Sequence, residues 1–268
     1  MSEEKDKGDM SFLDHLEVLR WHLVRAAIVI ILFTFLAFIF KGFVFDDVIL
    51  AQKSADFWTY QLFCKFSYLI GNGDALCMED MSFSLINITM SGQFSLHIMV
   101  SLVAGVILAF PYILFEIWRF ITPALAKNEK RNALGLVFSG SVLFILGISF
   151  GYYFVSPLSV QFLGNYTVSE QVQNQITLGS FISTVTTVTL VCGLVFQLPL
   201  IVYFLSKLGL LTPEFMRKYR KHAVVVTLVL SAIITPPDIS SQVLLTIPLL
   251  ILYEFSIYVS KMVGKKKE

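Results

Sequence analysis

Residues 110–131, FPYILFEIWRFITPALAKNEKR, end an apolar run in a crowd of aromatic, basic and acidic side chains. Glu116, Arg119 and Phe120 stand three and four residues apart, which puts them on one face of a helix. Thr122-Pro123 then reads as the N-cap and first-turn proline of a short second helix carrying Glu129, Lys130 and Arg131. Carboxylate and guanidinium side chains pair with ions of opposite charge. Two further polar residues lie inside apolar stretches. Glu254 would cost about 3 kcal/mol unpaired at a bilayer centre, so it must be protonated, bonded to a neighbouring helix or facing a wet cavity. Gln197 stands two residues before Pro199, placed either to satisfy the Val195 carbonyl that the proline leaves without a partner or to contact a passing or bound peptide.

Enzyme chemistry finds no purchase. The sequence has no HExxH, GxSxG, P-loop or CxxC, its histidines are scattered at 15, 22, 97 and 222, and no Ser-His or paired-Asp arrangement falls within an apolar run. No catalytic residue, metal or cofactor is therefore expected, and nucleic acid is not an expected partner.

The elements that must carry these residues are membrane spans. The chain has 268 residues, 56% hydrophobic and only 15% charged, with a mean hydropathy of +0.75, against about 25% charged in ordinary soluble domains. Runs near the ~20 residues that cross ~30 Å of hydrocarbon fall at about 24–43, 94–117, 134–155 and 178–206, with shorter ones at 223–234 and 243–260. Lys and Arg cluster in the N-terminal segment, the 116–133 connection, the 207–221 connection and the C-terminal tail: 17 lie there and 3 in the first intervening loop. That alternation predicts six crossings with both termini in the cytoplasm. The fold class is thus all-α and polytopic. Bends at Pro111 and Pro199 suit a concave bundle, and the fifth and sixth helices are expected to be too short to span comfortably, thinning the bilayer or leaning on neighbours.

Residues 1–10 read as a disordered polar tail, residues 11–260 as one membrane domain and 261–268 as a basic tail. No apolar stretch followed by a small-residue cleavage site precedes the first span, which is expected to be permanent. Ser11 to Asp14 reads as a capping box, and Phe12, Leu16, Leu19 and Leu23 repeat at helical spacing, predicting an amphipathic segment at the cytoplasmic surface. Outside, residues 44–92 place Trp58, Tyr60, Phe63, Phe66 and Tyr68 in a helical pattern, predicting a structured cap. Cys64 and Cys77 share that loop, as a disulfide or as two free thiols.

Taken in order, SFLDHLEVLR before the first span, FPYILFEIWRFITPALAKNEKR after the second, FQLP in the fourth, TPPDISSQ before the sixth and a proline followed by Glu254 within it resemble the TatC family, the core of the twin-arginine protein translocase. The resemblance implies a receptor for signal peptides with two adjacent arginines, assembling with TatA/TatB-type single-span subunits and with further copies of itself. It would work in the bacterial cytoplasmic (inner) membrane and export folded proteins on the protonmotive force. On the family pattern Glu129 helps to bind the motif, Phe120 and Pro123 shape the site and Arg131 lies nearby. The family usually reads H-L-x-E-L-R before the first span; here Val18 takes the acidic position, and Glu17 stands one residue earlier, about 100° around a helix. Glu17 and Arg20 are accordingly weaker candidates than Glu129. Gln197 occupies a position where relatives carry Glu or Gln. A second reading is a proton-coupled transporter of a small solute with Glu254 as the titrating group, against which stands the lack of an internal repeat.

Overall fold

The computed structural model describes residues 12–54, 56–71, 73, 77, 84–121, 133–169, 174–235 and 239–264. Helix α1 (Phe12–Ile39) begins where the capping box predicts, and the amphipathic segment and first span form one continuous helix. Its Ile28, Ile31, Leu32 and Phe35 are exposed, as residues meeting lipid must be. A π-helical stretch (Phe43–Ile49) and a 3-10 turn (Leu50–Lys53) lead to α2 (Trp58–Ile70), which ends at Gly71 with φ 81°, a left-handed cap open to glycine. Cys64 and Cys77 are joined as a disulfide, closing a loop of a length that stabilises by roughly 3 kcal/mol in the chain-entropy account.

Helix α3 (Gly92–Ile121) runs 30 residues through Pro111 without interruption. The third apolar run is longer than its sequence bounds. Helix α4 (Ala133–Phe150) passes through a π turn (Gly151–Val155) into α5 (Ser156–Asn165) with Pro157 in its first turn, and the Tyr152 and Tyr153 carbonyls of the π turn accept from the Gln52 and Thr59 side chains. The fourth run is the reverse case. It breaks at Phe196-Gln197 into α6 (Leu178–Val195) and α7 (Leu198–Lys207), with Pro199 again in a first turn.

After the short α8 (Pro213–Lys218), α9 (Arg220–Ile234) has 15 residues, about 22 Å long, and is the expected short fifth helix. The sixth corrects its expectation. Helix α10 (Ile239–Gly264) has 26 residues, about 39 Å, and needs no thinned bilayer. Residues 239–242 and 261–264 extend the helix beyond its apolar run, and inside that run Thr246 and Ser256 bond back one turn, to the Gln242 carbonyl at 2.7 Å and the Leu252 carbonyl at 2.7 Å. Among the described residues, five segments are long and apolar enough to cross a membrane: 16–39, 92–121, 134–165, 178–207 and 241–263.

Helix α1 packs on α3, α4 on α6, and α10 on both α7 and α9. Small residues set the approach distances. A Cβ on Gly105 would lie 2.7 Å from the Thr34 backbone nitrogen, and one on Gly147 would lie 2.8 Å from the Cys192 carbonyl. Gly147 and Gly151, four apart, bring α4 and the π turn onto α6, the small-xxx-small device of apolar helix pairs. Between α1, α3 and the α4–π junction an apolar hollow of about 470 Å³ opens, lined by Leu36, Phe40, Val44, Ile107, Ile148 and Tyr152. It gives the bundle a concave flank.

The segment between α1 and α3 forms a cap that is tied down by buried polar groups. Gln52 is fully buried, donates to the Tyr152 carbonyl at 2.9 Å and accepts from Ser156 Oγ at 2.7 Å. Tyr60 donates to the Gln52 carbonyl at 3.0 Å; burial pushes its phenol well above the usual tyrosine range, so it remains a donor. Strands β1 (Leu85–Ile86) and β2 (Ile176–Thr177) pair in parallel, joining the loop before α3 to the one before α6.

Because the Gly105 Cβ position is occupied by Thr34 backbone, Gly105→Ala should lower the Tm of the detergent-solubilised chain by several degrees, an overpacking cost of about 1–3 kcal/mol. Gly135→Ala, at an open position, should not lower it. Equal Tm values for the two variants would refute the close α1–α3 approach.

Candidate functional site

The end of the bundle where α1 begins and α3 finishes holds a buried polar cluster. Tyr112, Glu116 and Phe120 lie one turn apart on α3, so they share a face, and that face meets His22 and Arg25 of α1. Glu116 is 2% exposed. One carboxylate oxygen pairs with Nδ1 of His22, itself buried, with Nη1 of Arg25 at 3.9 Å; the other accepts from the Tyr112 hydroxyl at 2.8 Å. The Phe120 ring stands edge-on to the His22 ring at 5.9 Å. Each carboxylate oxygen thus has a hydrogen-bond partner. Removing one partner of such a buried pair typically costs about 3–5 kcal/mol.

This cluster splits a grouping that the sequence suggested. Glu116 turns inward against α1 while Arg119 stays exposed, so the two do not act as one face. Phe120 is half-buried at the end of α3, and Glu17 and Arg20 are exposed on the first turns of α1, the Arg20 guanidinium 5.8 Å from the Trp21 ring centroid. Val18 is exposed beside them. Pro123, Glu129 and Arg131, with the short helix expected from Thr122, lie outside the described residues.

The two intramembrane polar residues are also placed. Gln197 caps α7, but its amide does not serve Val195. It reaches across to α4 and donates to the Gly140 carbonyl at 3.1 Å, because the break at 196–197 swings it toward that helix. Its Oε1 is buried with no hydrogen-bond donor among the described residues. Glu254 pairs with Arg220, at the start of α9, at 2.7 Å; both side chains are about half exposed. The alternative of a carboxylate bonding a neighbouring helix is the one observed. Among the described residues no group of His, Cys, Asp and Glu could hold a metal ion.

The family profile described as "Sec-independent protein translocase protein (TatC)" matches residues 14–248, most of the chain. The chain belongs to the TatC family. It is 36% identical over 265 residues to the Sec-independent protein translocase protein TatC of Blattabacterium sp. subsp. Periplaneta americana, covering 98% of this chain and 100% of that protein. With the TatC of Aquifex aeolicus it shares 33% identity, covering 97% of this chain and 98% of the relative. Two solved structures, described as the crystal structure of the twin arginine translocase receptor TatC and the same receptor in DDM, superpose with TM-scores of 0.68 and 0.70. Each is 33% identical to this chain; they cover 93% and 92% of it and are themselves 99% covered. The chain is therefore a membrane component of the Sec-independent translocase and not an enzyme.

Local spacing does not reveal this buried cluster, because its partners are 94 residues apart. The available signal was a pair of polar residues on each helix, His22 with Arg25 and Tyr112 with Glu116, spaced for one face. A double-mutant cycle with His22→Ala and Glu116→Ala should give a coupling of about 0.5–3 kcal/mol in unfolding stability. Additive effects would show that the two side chains do not support one another.

Proposed function

We propose that this chain is the receptor subunit for twin-arginine signal peptides, reading them with the connection that follows α3. The single observation that carries this reading is the family match over residues 14–248, and the physics of the motif agrees with it. A guanidinium presents a planar fork that a carboxylate accepts in bidentate fashion. Glu116 is engaged by His22 and Tyr112 and offers nothing to a ligand. Glu129 is then the acidic residue of this region with the role of meeting the arginines, with Phe120 and Pro123 shaping its surroundings and Arg131 nearby. Glu17 stands exposed on α1 as a second, lesser contact beside Arg20, since Val18 occupies the position where the family pattern carries its acidic residue.

The same reading places both termini and the 116–133 connection in the cytoplasm of a bacterial cell, on the basis of the 17-to-3 distribution of Lys and Arg. Residues 1–10 and 261–268 are its cytoplasmic tails and residues 11–260 its membrane domain. TatA/TatB-type single-span subunits and further copies of the chain complete the assembly, which moves folded proteins on the protonmotive force. Gln197, buried near the middle of the broken helix with an unused oxygen, is an intramembrane contact for a partner or peptide. A proton-coupled solute transporter is no longer needed to account for Glu254, since Arg220 accounts for it.

A twin-arginine signal peptide carrying a photoreactive side chain beside its arginines should crosslink to the 122–132 segment. Glu129→Lys should abolish the crosslink while leaving the helical content intact, and a twin-lysine peptide should fail to crosslink. Undiminished crosslinking to the Lys variant would remove Glu129 from the site.

A further inference from the structure

Helix α2 has its polarity inside out. The residues it turns inward are Thr59, Tyr60 and Ser67, all buried, whereas Trp58, Leu62, Phe66 and Leu69 point away from the protein, from 38% exposed at Leu62 to 84% at Leu69. At 100° per residue these four fall within an arc of about 80°, a continuous apolar stripe along the helix. Exposed Gln61 and Lys65 flank it on one side. A stripe of this kind in water is an aggregation hazard; facing lipid it is satisfied.

The surface next to the stripe is membrane surface already. The Trp58 ring packs edge-on against Tyr153 at 5.7 Å and Phe154 at 6.1 Å, and both belong to the 134–165 candidate span, with Tyr153 exposed. The stripe therefore continues the lipid-facing side of a span. At 13 residues, about 20 Å, α2 is too short to cross the bilayer. Its first turn is held by hydrogen bonds from Thr59 to the Tyr153 carbonyl and from Tyr60 to the Pro157 carbonyl, and Cys64 is bonded to Cys77. The helix is thus fixed to the end of one span with its apolar stripe outward.

We infer that α2 is an interfacial helix whose Trp58–Leu62–Phe66–Leu69 face is seated in the bilayer at the level between headgroups and upper acyl chains. Lys65 extends its flexible stem from the edge of the stripe to the headgroups, and Trp58 sits at the depth that membrane proteins favour for indole rings. The inference goes beyond the receptor reading and stands apart from it, since it rests on the exposed face of α2 and its contacts with a span. Its consequence is that the outer cap is anchored at two places, on the bundle through Gln52 and Tyr60 and on the lipid through α2.

The chain has 3 tryptophans, Trp21, Trp58 and Trp118, so Trp58 can be read as the difference between the native chain and Trp58→Phe. The full chain, disulfide intact, is reconstituted in phosphatidylethanolamine–phosphatidylglycerol vesicles, with and without lipids brominated near the headgroup end or near the methyl end of their acyl chains. The difference spectrum should be blue-shifted and quenched severalfold more by the first bromolipid than by the second. A water-like emission untouched by either lipid overturns the inference. So does a blue-shifted emission insensitive to both, accompanied by copy-to-copy photocrosslinking from a benzophenone at Leu69, which would make the stripe a contact between two copies. Crosslinking of that Leu69 probe to lipid supports it without any change at the tryptophans.

Discussion

A carboxylate buried in a bilayer-embedded helix has to be satisfied by its neighbours, and in this chain Glu116 imposes that requirement on the first half of the fold. Its partners come from two helices, Tyr112 from its own and His22 with Arg25 from α1, so the requirement is met only when α1 lies against α3 in one register. Gly105 allows the two backbones to approach deeper in the bundle, where a methyl group would collide with Thr34. Polar satisfaction at one end and close packing along the length are complementary constraints. In lipid, where apolar faces have little drive to find each other, such contacts take the place of the hydrophobic effect.

The functional consequence lies in what the two helices carry. Helix α1 presents Glu17 and Arg20 on its exposed first turns, and α3 carries Phe120 one residue before its end at Ile121, where the connection that holds Glu129 begins. With Glu116 bonded to His22, the two sides of the proposed peptide-reading surface have a set relation. The other end of the bundle uses the same device. Buried Gln52 bonds to Tyr152 and Ser156, and the disulfide and the β1–β2 pair close the loops over it.

Much of this was legible in the sequence, where one signal sufficed. Apolar run length gave the spans, the aromatic periodicity from Trp58 to Tyr68 gave α2, and the ordered motifs gave the family. What was hidden depended on contacts distant in sequence. The Glu116–His22 pair joins residues 94 apart, and Gln197 finds Gly140 at 57, so neither partner can be read from local spacing. Span lengths were misjudged where polar side chains were taken as helix ends. The sixth helix continues through Ser241, Gln242 and Lys261, which bounded its apolar run, whereas Pro157 and Pro199 both occupy first turns, one continuing its helix and the other starting a new one after a break. The site residues Pro123, Glu129 and Arg131 rest on the family pattern and on charge chemistry.

The central claim is that the α1–α3 lock holds the peptide-reading surface together, and a binding titration on a lock variant tests it most directly. Fluorescent twin-arginine peptide is titrated into nanodisc-embedded native chain and into His22→Ala, with helical content checked in both. The account predicts a Kd at least about tenfold weaker for the variant, roughly 1.4 kcal/mol, at equal helical content. An unchanged Kd in a variant whose α1 has measurably separated from α3, read by spin labels at Glu17→Cys and Phe120→Cys, would contradict it.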